Sequence, residues 1–178
     1  MGSNYILKTM ELKQGFPPIA VETATTLILG SMPGEESLKK NEYYGNPRNS
    51  FWKIMAILFG FDSSVKYEER TRILLENRIA LWDVMRSCER KGSLDSHINN
   101  GTIIENDFAS FFNNYPNIRN VYFNGAKAEK EYFKRVLPKL PKSKRHINYD
   151  RLPSTSPAMT QLSLKAKIIE WSKIKGKI

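Results

Sequence analysis

The 178-residue chain predicts an α/β fold, a three-layer α/β/α sandwich around a central, mainly parallel four-stranded sheet. Two observations predict it. Four short apolar runs each end in a turn signal, and helix-like patterns lie between and after them. The stronger runs are apolar along their length rather than alternating, as strands of a parallel sheet buried on both faces must be. Each right-handed crossover then lays its helix across the sheet. The length suits a single domain that buries on the order of 70% of its unfolded surface.

Residues 1–23 read as a partly irregular amino-terminal extension of that domain. The first strand is ATTLILG, residues 24–30, and it stops at Ser31-Met32-Pro33-Gly34. Helices follow over 51–59 and 67–77. The second strand, RIALWDV, covers 78–84. A helix over 103–114 is predicted from Thr102 and Glu105, whose spacing fits a capping box. Pro116 ends it, and the third strand, IRNVYFNG, spans 118–125. A helix over 126–137 stops at Pro138. The fourth and weakest strand is RHINYD, 145–150. Ser156 before Pro157 predicts the start of a last helix reaching Lys175. On it Leu164, Ile168 and Trp171 form an apolar stripe, and Lys165, Lys167 and Lys173 face water.

Composition narrows the function classes. The chain is 40% hydrophobic and 26% charged, with no apolar run long enough to span a bilayer and no secretory or acylation pattern at Met1. A soluble, cytoplasmic protein with no membrane association is expected. Cys88 is the single cysteine, and His97 and His146 are the two histidines. No internal disulfide is possible, a cysteine-rich zinc or iron-sulfur site cannot be built, and neither metal nor cofactor is expected. None of these three residues carries a convincing chemical role. The net charge of +10 is uneven, because residues 127–178 hold fourteen Lys or Arg against four Asp or Glu. Such a segment suits a polyanion, or simply a solvated helical surface.

In parallel sheets ligands bind beyond the carboxyl ends of the strands, where loops converge. Residues 30–50, 83–101, 124–127 and 150–158 share that edge. The basic stretch KLPKSKR, 139–145, precedes the fourth strand and belongs to the opposite edge. Arg48, Arg86, Lys127 and Arg151 are better placed to meet nucleic acid. Within these loops, Gly30-Ser31-Met32-Pro33-Gly34 allows close backbone approach to a ligand, but it is neither a Walker loop nor a dinucleotide fingerprint. YYGNPRNSFW, 43–52, crowds aromatics, a turn and neutral amides ahead of a helix, where Asn49 is also a natural cap residue.

Joined in order, GSMPGEESLKKNEYYGNPRNSFW (30–52), ALWDVMRSCERKGSLDSHI (80–98), YFNGAKA (122–128) and LPSTSPA (152–158) closely resemble the uracil-DNA glycosylase superfamily, and within it the hypoxanthine-DNA glycosylase branch. The resemblance covers roughly residues 24–172. It implies the parallel sandwich already inferred and a monofunctional DNA glycosylase that flips out a deaminated base and leaves an abasic site. A uracil-preferring glycosylase and a non-catalytic damaged-DNA-binding module are the alternatives.

The implied base pocket comprises Gly30, Ser31, Met32, Pro33, Gly34, Tyr43, Tyr44, Phe51, Asn124 and Gly125, with Tyr44 favoured as the stacking platform. Met32 stands where other branches carry a water-activating Asn or Asp, so Asn49 is the implied catalytic residue, its carbonyl holding water. Asp83 is implied to read the base or orient water, or else to pair with Arg86 or Arg90. Leu152, Pro153, Ser154, Thr155 and Ser156 match the loop that contacts DNA phosphates, joined there by Arg48, Arg86, Lys127 and Arg151. Leu152 replaces a histidine of the uracil-specific branch, Asn46 a usual histidine and Met159 a common asparagine. The expected partner is single- or double-stranded DNA containing a deaminated base, bound by a monomer.

Overall fold

The structure, a computed structural model, describes residues 10–144 and 147–176. Met1 and the residues after it, which carry no acylation pattern, and Arg145 and His146 at the head of the fourth predicted strand lie outside them. The principal sheet contains β2 (Thr26–Gly30), β3 (Ile79–Asp83), β6 (Asn120–Asn124) and β7 (Asn148–Leu152), in the order β3-β2-β6-β7 with all pairs parallel. Every residue of β2 and β3 is buried, which explains their unbroken apolar sequences. Chain order reverses between β2 and β6, so the topological switch point lies between Gly30 and Asn124.

The right-handed rule places α1 (Glu35–Lys40), α2 (Phe51–Phe59) and α3 (Tyr67–Glu76) on one face, and α4 (Phe108–Asn114) and α5 (Ala126–Glu131) on the other. Ring contacts agree. Phe51 of α2 meets Trp171 of α6 (Leu164–Trp171) edge-on at 5.7 Å, whereas Phe108 of α4 meets Tyr132, just past α5, at 5.3 Å. The four strands and the helix over 51–59 stand where the sequence puts them, with ends shifted by up to three residues.

Other segments differ. A second, three-stranded sheet of order β1-β4-β5 flanks the first, built from β1 (Leu12–Gln14), β4 (Met85–Glu89) and β5 (Ile104–Glu105). Its strands are antiparallel. Residues 103–107 are therefore not helical. Thr102 Oγ1 donates to the Asn99 carbonyl and accepts the Glu89 amide, and Glu105 pairs with Lys139, so the predicted capping box does not form. Asp107 caps α4 instead, accepting the Ser110 amide at 3.0 Å.

The last helix begins at Leu164, where Ser163 Oγ accepts the Ala166 amide at 3.2 Å; Ser156-Pro157 only forms a turn. The later start and the packing that follows bury Lys167, 5% exposed, rather than leaving it in water. Its Nζ donates to the Met159 carbonyl at 3.0 Å, while Leu164 is exposed. After α5 the chain widens into a π turn over Tyr132–Val136 before a tight turn at Leu137–Lys139.

Candidate active site

Gly30 and Asp83 are cross-strand partners at the carboxyl ends of β2 and β3. A Cβ on Gly30 would lie 2.3 Å from Asp83 Oδ1 and 3.3 Å from the Tyr44 hydroxyl, so glycine leaves room for both groups. Asp83 is 4% exposed, and its Oδ2 and the Tyr44 hydroxyl are buried without hydrogen-bond partners. Burial, then the charge of Asp95, push the Asp83 carboxyl up to about 7 against the pull of Arg90. Burial also pushes the Tyr44 phenol well above its ordinary range. The Asn124 amide pulls that phenol slightly down, but both polar atoms of Asn124 are engaged by Thr155, and the hydroxyl keeps no bond of good geometry.

Tyr44 sits at φ 55°, in the left-handed region. Such a conformation is uncommon for a bulky residue and marks a constrained site. Its ring stacks on Phe51, with centroids 3.9 Å apart and planes 22° apart. Phe51 is fully buried, whereas Tyr44 is half-buried, so of the two rings Tyr44 keeps the accessible surface. Neighbouring Tyr43 is a core residue. Its hydroxyl donates to the Pro17 carbonyl at 3.0 Å and its own carbonyl accepts Trp52 Nε1 at 2.9 Å, which removes it from the implied pocket.

Asn46 builds the loop that carries Asn49. Its Oδ1 accepts the Arg48 amide at 2.9 Å and its carbonyl accepts the Asn49 amide at 2.8 Å. Asn49 Oδ1 accepts the Phe51 amide at 2.9 Å, so the carbonyl assigned to water also secures the start of α2. Ser50 ties this loop to the opposite one, its amide and hydroxyl reaching the Thr155 carbonyl at 3.0 and 3.2 Å. Thr155 and Asn124 close a two-bond clamp of 2.8 and 2.9 Å. Gly125, at φ 93°, lets Ser154 approach, because a Cβ there would stand 3.0 Å from Ser154 Cβ. Trp171 Nε1 anchors Pro153 from below at 2.9 Å.

Several implied contacts need correction. Thr155 is 1% exposed and its side chain serves Asn124, not a phosphate; Asn124 is accordingly a clamp rather than a free base-binding amide. Ser154 and Ser156 remain at the surface of the turn, their Oγ atoms accepting the Ser156 and Ala158 amides. Ser156-Pro157 opens no helix of its own; the amino ends of α2 and α5, at Ser50 and Gly125, pack against the turn instead. Leu152 is buried, so its side chain cannot meet DNA. Met32 packs with Met85, Cys88, Ile98 and Ile103 in a satellite core. Arg90 is buried on the Met32, Pro33 and Gly92 carbonyls, and it fixes the glycine-rich loop rather than pairing with Asp83. Arg86 is exposed beside Ile104 and Lys139, lining a flank cavity of about 280 Å3 outside the gathered loops. Lys127 bonds Asn100 and Glu131, Arg151 bonds Glu129, and Arg48 is exposed at the loop tip.

The sequence reading missed Asp95. Its Oδ1 accepts the Ser31 hydroxyl at 2.7 Å across 64 residues of chain, and Ser93 Oγ accepts the Glu35 amide at 2.9 Å. The loop over 92–98 thus closes on Gly34. An acidic residue just after Gly92-Ser93, on a loop already assigned to this edge, was the available signal. Among the described residues no group of three His, Cys, Asp or Glu could hold a metal ion, and no helix is long and apolar enough to cross a membrane. A larger cavity of about 670 Å3 lies at the amino ends of the strands, beside Thr25, Arg78 and Asn120, and shares no residue with these loops.

Comparison with known proteins gives this edge its context. Residues 17–172 match the model of the uracil DNA glycosylase superfamily. A hypoxanthine DNA glycosylase of Methanosarcina acetivorans is 39% identical over 166 residues, 92% of this chain and 98% of that protein. One from Methanosarcina barkeri is 42% identical over 117 residues, 65% of this chain and 73% of that protein. The solution NMR structure of a Methanosarcina acetivorans protein described as a candidate uracil DNA glycosylase superposes with a TM-score of 0.76 at 36% identity, covering 93% of this chain and 97% of that one. With the family match spanning nearly the whole parallel sheet and all four edge loops, the chain belongs to the uracil-DNA glycosylase superfamily.

Proposed function

We propose that the protein is a monofunctional DNA glycosylase that extrudes a deaminated base, hypoxanthine, and hydrolyses its bond to deoxyribose to leave an abasic site. The observation that carries this reading is the approach of Asp83 and the Tyr44 hydroxyl over Gly30 at the switch point of the sheet, with the loop that carries Asn49 tied through Ser50 to Thr155. The names of the relatives at about 40% identity favour hypoxanthine over uracil.

The extruded base extends the Phe51–Tyr44 stack on the outer face of Tyr44, a contact worth roughly 1–3 kcal/mol. Asp83 Oδ2 and the Tyr44 hydroxyl, two of the three buried side-chain atoms without hydrogen-bond partners among the described residues, then meet the polar edge of the base. As the glycosidic bond breaks, the sugar becomes cation-like and water adds at its anomeric carbon. Asn49 Oδ1 is fixed by the Phe51 amide and keeps a second lone pair to orient that water. The Ser154 and Ser156 hydroxyls and the exposed Arg48 meet phosphates of the same strand. The chain acts as a cytoplasmic monomer on single- or double-stranded DNA without a cofactor.

The test is an inosine-containing oligonucleotide incubated with the protein and then treated with alkali, with uracil- and xanthine-containing duplexes in parallel. Strand breakage at inosine after alkali is expected. Preferential cleavage at uracil would contradict the hypoxanthine assignment, and salt-sensitive binding with no base release would favour a binding module.

A further inference from the structure

We propose that Asp83 enters the reaction as a neutral carboxylic acid that gives its proton to the departing purine, and that Asp95 is the positioning residue that keeps it neutral. The inference rests on the glycosylase reading and specifies the chemistry of the same site.

Four structural facts converge on it. First, Oδ2 of Asp83 meets no cation among the described residues, and Arg90, the buried guanidinium of this region, is committed to three carbonyl groups. Second, Oδ2 of Asp83 is buried without a partner, and the Tyr44 hydroxyl beside Gly30 is in the same condition. An ionised carboxylate left so would be costly, whereas a neutral acid needs only an acceptor, which the purine ring supplies. Third, a second carboxylate, Asp95, is held at this edge by its bond from Ser31. Two nearby carboxylates resist ionising together, and the one with a donor keeps the charge. Fourth, His97, the histidine among the described residues, lies on the Lys91 carbonyl, and Leu152 is buried. No imidazole among the described residues competes for the role.

The titratable and charged groups facing Asp83 come from three segments: Tyr43 and Tyr44 from the loop before α2, Arg90 from just beyond β4, and Asp95 from the loop over 92–98. Burial and Asp95 raise Asp83 to about 7, against Arg90. Asp95 is exposed as a residue, yet crowding of its carboxyl raises it too, while Ser31, Arg90 and Lys127 pull it down. Asp95 has a side-chain donor in Ser31 whereas Asp83 Oδ2 has none, and that difference puts the charge on Asp95 rather than Asp83.

The step balances without a further reactant. The C1′–N9 bond breaks with both electrons passing to the purine, and the Asp83 proton goes to a ring nitrogen. Water adds through oxygen to C1′, and its surplus proton returns through solvent to the Asp83 carboxylate. Purines offer N7 for this proton, a position that uracil lacks. Asp83 touches the leaving group and is catalytic in this step. Asp95 acts through Asp83.

The experiment is the pH dependence of single-turnover base release from an inosine duplex, measured for the wild type, Asp83→Asn and Asp95→Asn, together with 13C NMR titration of the aspartate carboxyls in the free protein. In the wild type the rate is expected to be level on the acid side and to fall about tenfold per pH unit above about 7, with an Asp83 inflection at the same pH. Asp95→Asn keeps an acceptor for Ser31 but removes the charge, so both the rate limb and the inflection move to lower pH. Asp83→Asn retains duplex binding, loses that limb and slows release roughly 100- to 10,000-fold. A wild-type rate that is flat or rises through pH 7, an Asp83 inflection in the ordinary carboxylate range, or an unmoved limb in Asp95→Asn would each overturn the inference while leaving the glycosylase reading intact. Absence of base release at every pH would overturn that reading and the inference with it.

Discussion

At the scale of single residues, the site is defined by groups whose ordinary needs are left unmet. Asp83 is ionised in an unfolded chain above pH 4 but is raised to about 7 when folded, so the native state holds the extra proton between those values. Its contribution to stability is full below the unfolded value and is lost as pH rises through about 7. Across that window the loss is on the order of 4 kcal/mol. Asp83→Asn is therefore expected to gain stability relative to the wild type at pH 8 but not at pH 4, as urea unfolding at the two values would show. An equal offset at both would mean that the carboxyl is not buried as described. Asn49→Ala removes the acceptor of the Phe51 amide, which costs about 1 kcal/mol. Base release should fall far more than that loss explains, with duplex binding retained. Unchanged turnover would remove Asn49 from the mechanism.

Much of this residue-level picture was legible in the sequence, because Gly30, Tyr44, Asn49 and Asp83 fall at the ends of recognisable apolar runs or ahead of a clear helix. What was not legible depends on side-chain direction. Nothing in YYG says that Tyr43 turns into the core and Tyr44 back onto Phe51; the left-handed backbone at Tyr44 decides it. Ser31 and Asp95 meet across 64 residues, a pairing that only the folded loops reveal.

At the scale of elements, continuous burial made the parallel strands readable, and the flanking sheet escaped for the opposite reason. MRSCE follows β3 after Val84 and is mostly polar, with neither a continuous apolar run nor a clean alternation, while the Ile103-Ile104 pair suits helix or strand equally. The last helix was placed early because Ser156-Pro157 imitates a helix start. In the structure that helix matters as a support, with Trp171 holding Pro153 and Lys167 holding Met159 on either side of the Ser154–Ser156 turn. Trp171→Phe keeps an aromatic ring but loses the Nε1 bond, and should destabilise the fold by about 1 kcal/mol. The weaker anchor should also raise KM for inosine DNA more than it lowers kcat. Steady-state kinetics showing only a kcat loss would argue against this supporting role.

At the scale of the whole molecule, the sheet separates the chemistry from much of the charge. The loops converge where β2, β3, β6 and β7 end, while Lys142 and Lys144 lie ahead of β7 at the opposite edge. Net charge of +10 attracts DNA at long range, but only cations that neutralise phosphates release counterions. Arg48→Ala is expected to reduce the salt dependence of duplex binding by about one ion. The double variant Lys142→Ala with Lys144→Ala should leave it nearly unchanged. Salt titrations showing the reverse would put the DNA on the other edge.

The most direct measurement of the central claim is the identity of the base released from one duplex carrying inosine, compared between the wild type and Asn49→Ala with matched unfolding curves. The account predicts free hypoxanthine and an intact abasic strand from the wild type, and little or none from the folded variant. Equal hypoxanthine release by both, or none from the wild type, would contradict it.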